Sequence, residues 1–248
     1  MDLAAWPTAA TTGVPDGVTL QPSGSLEVRE DGAVVEGLDV SGQVTVFGDN
    51  VTIRNTRIRT SGGLYGIRQV EEAGGMVVED VDIIGTDARC SVGIVTNRYT
   101  ARRIDVSGCE DGLRVGSQTV VEDSYIHDQR YTAGAHNDGA QSIGGTGIRM
   151  TGNRIEGPYQ EQTSALLLHA NFVPLRDVHL EGNLLSGGTY TLNIKQRGDN
   201  PVPDNVAIID NVWIRDSYKF GTHQIEAEGL VMSGNLFDDG TAYAYTTR

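Results

Sequence analysis

Apolar residues recur along the chain in a short phrase: apolar-x-apolar-x, then Asn, Asp or Gly, then a closing apolar residue. It reads VTIRNTRI at 51–58, MVVEDVDI at 76–83, YTARRIDV at 99–106, TVVEDSYI at 119–126, GIRMTGNRI at 147–155, VHLEGNLL at 178–185, VAIIDNVWI at 206–214 and GLVMSGNLF at 229–237. VVEGLDV at 34–40 is a weaker first copy. The closing positions 40, 58, 83, 106, 126, 155, 185, 214 and 237 lie 18 to 30 residues apart, a spacing at which repetition denotes stacked supersecondary units. Between the phrases come further bursts of period two: YGIRQV (65–70), VGIVTN (92–97), DGLRVG (111–116), DGAQSI (138–143), SALLLH (164–169) and YTLNIK (190–195). No 3.6-residue periodicity accompanies them, no interval has room for a crossover helix, and a propeller would need four longer strands per blade. The pattern predicts an all-β chain: a parallel β-solenoid of about nine coils, each burying its apolar face against its neighbours.

In-phase stacking assigns positions. Ile67, Ile94, Leu113, Ala140, Leu166 and Leu192 share one frame position and are apolar, so they should face the core. Their neighbours then face solvent: Gly66, Gly93, Gly112, Gly139, Ala165 and Thr191 on one side, Arg68, Val95, Arg114, Gln141, Leu167 and Asn193 on the other. Asn55, Asn153, Asn183, Asn211 and Asn235 should stack as an amide ladder in a turn. Cys90 and Cys109, each two residues before a burst, should lie one strand spacing (~4.8 Å) apart and touch. Both a disulfide and a pair of buried thiols satisfy that placement.

Composition narrows the function classes. With 248 residues, 38% hydrophobic and 21% charged, the chain reads as one domain over 1–248, with residues 1–30 (Trp6 and Pro7 included) as an N-terminal cap region and 238–248 as a C-terminal cap. Its 32 glycines sit among short Val, Ile and Thr bursts, as many short strands and turns require. A net charge of -14 argues against nucleic acid and anionic membranes as partners. No apolar run is long enough to span a bilayer, and the opening MDLAAWPTAATTG lacks the layout of a signal peptide. The acid excess is compatible with bound Ca2+, although no EF-hand loop or GGxGxD nonapeptide repeat is present.

WPTAATTGVPDGVTL (6–20), VVEGLDVSGQVTVFGDNVTIRNTRI (34–58), VVEDSYIHD (120–128), HNDGAQS (136–142) and LEGNLLSGGTYTL (180–192) resemble the right-handed parallel β-helix proteins of the pectate-lyase-like superfamily, in their secreted actinobacterial and phage tail-associated forms. The resemblance covers nearly the whole chain. It implies a right-handed helix, a carbohydrate-acting scaffold that serves lyases, hydrolases, epimerases and depolymerases alike, a polysaccharide partner, and an extracellular or virion-associated location. The chain departs from these relatives at LNIKQRGDN (192–200), where they tend to be glycine-rich, so Lys195 is particular to this branch.

Within that frame, Gln141, His169, Asn193 and Lys195 come from three successive coils and should fall within about 10 Å of one another. AHNDGAQ (135–141) ends a long loop and brings His136, Asn137 and Asp138 toward the same face. A uronate polymer suits such a surface: β-elimination needs a base for the proton beside the carboxyl and cations for the developing dianion. Lys195 or His169 is the candidate base. His136 and Asp138 complete the catalytic candidates, and Gln141, Asn137, Asn193, Arg68, Arg114 and Arg197 are the substrate-binding ones. Bland readings stand beside these: a turn at Asn137-Asp138-Gly139, a structural His169 packed on Phe172, and a solvated Lys195. The runner-up chemistry is hydrolysis by paired carboxyls, for which Asp111 and Asp138 occupy equivalent positions and Glu122, Asp123 and Asp128 are further candidates. A module that only holds glycan is the reading from another class.

Overall fold

The structure, a computed structural model, describes residues 1–60, 64–86, 90–131, 134–159 and 161–245. These form a parallel β-helix whose coils contribute strands to three faces, called sheets below, the first two of which join into one continuous 17-stranded sheet. The first sheet begins at Val34–Glu36 and ends at Val231–Ser233; the second runs from Gln21–Ser23 to Leu236–Phe237. Thr52–Thr60 and Met76–Gly85 pass unbroken from the first sheet into the second. The third sheet has nine strands: Leu26–Val28, Val44–Val46, Tyr65–Gln69, Val92–Val95, Asp111–Arg114, Asn137–Ser142, Gln162–Ala170, Tyr190–Gln196 and Gly221–Ile225. Each pairs in parallel with the next. Three of the nine, Leu26–Val28, Val44–Val46 and Gly221–Ile225, fall outside the bursts legible in the sequence.

Every coil bends between the first and second sheets through one residue with positive φ: Gly37, Asn55, Asp80, Arg103, Asp123, Gly152, Gly182, Asp210 and Gly234. Gly, Asn and Asp tolerate this left-handed conformation best, which explains their dominance there. Arg103 is held in it by bonds to Asp80 Oδ1 (2.8 Å) and Glu79 Oε1 (2.6 Å).

The amide ladder occupies the next position along. Asn153, Asn183, Asn211 and Asn235 are buried, and each of the first three donates its backbone N–H to the Oδ1 of the next (3.0, 3.0 and 2.9 Å). Asn55 is not part of this ladder. It is itself the bend residue, and its Nδ2 donates to Glu36 Oε1 at 3.0 Å. Toward the N-terminus the ladder ends at Ser124, whose N–H donates to Asn153 Oδ1. The frame also corrects one closing position: Trp213, not Ile214, pairs with Leu185 and Phe237.

Ile67, Ile94, Leu113, Ala140, Leu166 and Leu192 are fully buried. The glycines beside them do not face solvent as the alternation rule predicts. A Cβ added at Gly66, Gly93, Gly112 or Gly139 would lie 2.5, 2.7, 2.5 or 2.2 Å from the core side chains Ile83, Val106, Ile126 and Ile155. Ala165 and Thr191 continue this column and are also buried. The column is a sharp corner where the third sheet closes onto the second, and strict alternation fails at such a corner.

Cys90 and Cys109 form a disulfide with Cα atoms 4.6 Å apart. Chain-entropy reasoning assigns about 3 kcal/mol to a cross-link of this 19-residue separation. A Cys90→Ser/Cys109→Ser variant is expected to lose stability of that order in urea unfolding; an unchanged midpoint would contradict the assignment.

Residues before the first strand run along the outside of the solenoid. Trp6 Nε1 donates to Gly182 O (2.7 Å), Gly13 N to Arg103 O (2.8 Å) and Val14 N to Asp82 Oδ1 (3.0 Å), so Trp6 lies far from the open end. Residues 21–28 already belong to strands of the second and third sheets. At the other end Tyr243 stacks on the buried Trp213, ring centroids 4.7 Å apart. Residues 246–248 of the C-terminal cap lie outside the described residues.

Candidate active site

The outward column of the third sheet is set by register. Arg68 pairs with Val95, Arg114 with Gln141, Gln141 with Leu167, Leu167 with Asn193, and Asn193 with Gln224. His169 pairs with Lys195 one strand spacing away. Residues 24 to 31 positions apart in sequence thereby become neighbours. His169 Nε2 lies 3.1 Å from Asn193 Oδ1, and Arg197 Nε donates to His169 Nδ1 at 3.4 Å. A single neutral tautomer satisfies both bonds: the proton sits on Nε2 and the Nδ1 lone pair accepts from Arg197. Asn200 fixes the turn that carries Arg197 by donating to the carbonyls of Ala170 (3.0 Å) and Asn171 (2.9 Å).

Burial holds His169 below the usual histidine range, and the charges of Arg197 and Lys195 add to this. Lys195 is likewise held below the ordinary lysine value, first by burial and then by Arg197, with Glu226 opposing. Phe172 is 76% exposed, so His169 is satisfied by Asn193 and Arg197 rather than by an aromatic lid. Both ring nitrogens of His169 are thus engaged in hydrogen bonds.

The other predicted residues fall elsewhere. Asn137 pairs with Gln162, and His169 lies seven residues further along that strand, past the corner at Ala165, so His136 and His169 stand on opposite sides of that corner. His136 is exposed at the opposite edge of the sheet, its Nδ1 3.4 Å from Thr163 Oγ1. Asn137 and Asp138 are fully buried and cannot meet a polymer. Asp138 accepts from Ser164 N (2.9 Å) on Oδ1 and from Gln141 Nε2 (3.0 Å) on Oδ2, and its own N–H donates to Asp111 Oδ1 (2.9 Å). Asp111 and Asp138 thus stack through the backbone and supply acceptors where the corner interrupts the strand ladder. Hydrolysis needs two carboxyls that face a substrate, and these two are enclosed. Arg114 reaches Asp111 at 3.9 Å beside Gln141, whereas Arg68 is five strand spacings, about 24 Å, from Asn193. Glu122 pairs with Arg102 (2.7 Å), and Asp123 is a bend residue.

Burial pushes the Asp111 carboxyl up to about 7, against the opposing Asp138 amide and Arg114 charge. Asp138 is raised well above the carboxylate range by burial and by Asp111. A carboxyl raised on folding binds its proton more tightly folded than unfolded, so its contribution is intact in acid and is lost as pH climbs through 7. The protein is expected to melt lower near pH ~8 than near pH ~5, with Asp111→Asn flattening that difference. Equal slopes for both proteins would contradict it.

One cluster escaped the sequence reading. His127 lies 3.0 Å from Asp105 and 2.8 Å from Asp128 and stacks on Tyr125 at 4.0 Å. Burial pulls its pKa down, but the two carboxylates more than offset this and raise it. His127 stands in VVEDSYIHD, and its register partner Ser107, next to Val106, was the available signal.

No protein-family model matches the chain, and no curated protein does. Among solved structures it is similar to the tailspike protein gp49 of Acinetobacter baumannii bacteriophage Fri1, a capsular polysaccharide depolymerase: 10% identity, a TM-score of 0.42, 88% of this chain and 51% of that one. The chain spans about half the length of that tailspike.

Proposed function

We propose that the protein binds an acidic, uronate-containing polysaccharide across its third sheet and cleaves it by β-elimination. The observation that carries this reading is the meeting of Lys195, His169 and Arg197 on one surface of a chain with net charge -14. Arg197 faces the uronate carboxylate and neutralises the charge that develops as the adjacent C–H is broken. Lys195, as the free amine, takes that proton; the electron pair forms the C=C bond, the glycosidic C–O bond breaks, and the departing oxygen is protonated by water. His169 holds Arg197 and Asn193 in place, and Arg114, Gln141 and Asn193 line the approach.

The disulfide supports an oxidising, extracellular or virion-associated setting. No helix among the described residues is long and apolar enough to cross a membrane, and none of their His, Cys, Asp and Glu side chains gather in threes to hold a metal ion.

Incubation with a panel of uronate polymers tests the reading. Ultraviolet absorbance from new C=C bonds is the expected result. New reducing ends without that absorbance would indicate a hydrolase, binding without product would indicate a module that only holds glycan, and either overturns elimination. The base must be deprotonated, so kcat/KM should rise with pH, with its midpoint below the ordinary lysine value of 10.5. A pH-independent rate would contradict Lys195 as base.

A further inference from the structure

At the opposite edge of the third sheet, loops from four successive coils enclose an open cleft of about 770 Å³, within the range of small-molecule sites. Its walls carry three tyrosines, Tyr131, Tyr159 and Tyr218, with His136, Gln162 and Lys219 between them. Four coils at strand spacing give it a length of about 15 Å.

Gln162 braces the wall of the cleft. This side chain is 5% exposed, and its Oε1 accepts from Gly188 N (2.9 Å) and Tyr159 N (3.2 Å). Gly157 and Gly187 make room for the carboxamide: a Cβ at either would come within 2.2 or 2.0 Å of Oε1.

Charge separates this cleft from the basic cluster. Its two carboxylates, Glu161 and Asp216, outnumber its one lysine, Lys219. A uronate is disfavoured here and favoured at Lys195 and Arg197, beyond the corner at Ala165. Tyrosine faces, negative at the ring centre, attract the C–H faces of pyranose rings.

We propose that this cleft is a second glycan subsite that takes uncharged sugar units, with their rings against Tyr131 and Tyr218. The inference rests on the reading of the protein as polysaccharide-binding.

The test is calorimetric titration of the full chain with neutral tetrasaccharides of glucose, galactose, mannose and N-acetylglucosamine, and with tetragalacturonate. At least one neutral probe is expected to bind wild type and Lys195→Ala equally and Tyr218→Ala or Tyr131→Ala about tenfold more weakly. Melting temperatures of the variants establish that they fold. The proposal is overturned if no neutral probe binds, if binding survives both tyrosine changes, or if Lys195→Ala abolishes it. It is also overturned if tetragalacturonate is the probe that the tyrosine variants lose. Neutral binding without any elimination product sinks the catalytic reading and leaves this one standing.

Discussion

Lys195→Ala is expected to lower the rate of unsaturated product formation by a factor of about 10² to 10⁴, the usual worth of a positioned general base. The side chain is half-buried beside Arg197, and the substitution removes an amine without touching the buried ladder of the strand. Substrate affinity should fall less, because Arg197 and Asn193, proposed to hold the polymer, are left in place. His169→Gln is the informative companion. Its amide retains partners for Asn193 and Arg197, so a positioning role predicts a modest loss with the pH midpoint of Lys195 moved, whereas a base role predicts a loss as large as that of Lys195→Ala. Equal activity of Lys195→Ala and wild type would remove the amine from the chemistry.

The largest effect on stability is expected at Asn183. Its Oδ1 accepts from Asn153 N (3.0 Å) and Asn153 Nδ2 (2.9 Å), and its Nδ2 donates to Met150 O (2.8 Å) and Asn211 Oδ1 (2.9 Å). Asn183→Ala leaves buried donors and a carbonyl unpaired in the middle of the stack, at a cost of about 3–5 kcal/mol. For a chain of this size that corresponds to a fall in Tm of roughly 10 °C. Asn55→Ala serves as the contrast: outside the ladder, it should cost about 1 kcal/mol through its left-handed backbone. Equal losses at the two sites would contradict the ladder.

The recurring phrase made the coils legible because each must bury the same face against the next, and the apolar column from Ile67 to Leu192 followed from period two alone. The same regularity placed Cys90 against Cys109 and His169 against Lys195. It failed where the backbone leaves ideal pleating. Gly66, Gly93, Gly112 and Gly139 turn into the core at a corner, and Asn55 sits one residue off the ladder at a left-handed bend. Asp138 sits in the same loop-to-strand stretch as His136, yet burial beneath Gln141 and Ser164 was invisible without the loops that cover it. The aromatic cleft draws on Tyr131, Tyr159 and Tyr218, which no period links; only the common corner of successive coils brings them together.

The account turns on residues 26 positions apart becoming register partners on the third sheet. A His169→Cys/Lys195→Cys variant measures this directly, since paired Cα atoms one strand spacing apart lie within disulfide reach, as Cys90 and Cys109 do at 4.6 Å. Mass spectrometry after mild oxidation should find the new cross-link formed within the folded monomer. Two free thiols at 169 and 195 beside an intact Cys90–Cys109 bond would contradict the register and dissolve the basic cluster with it.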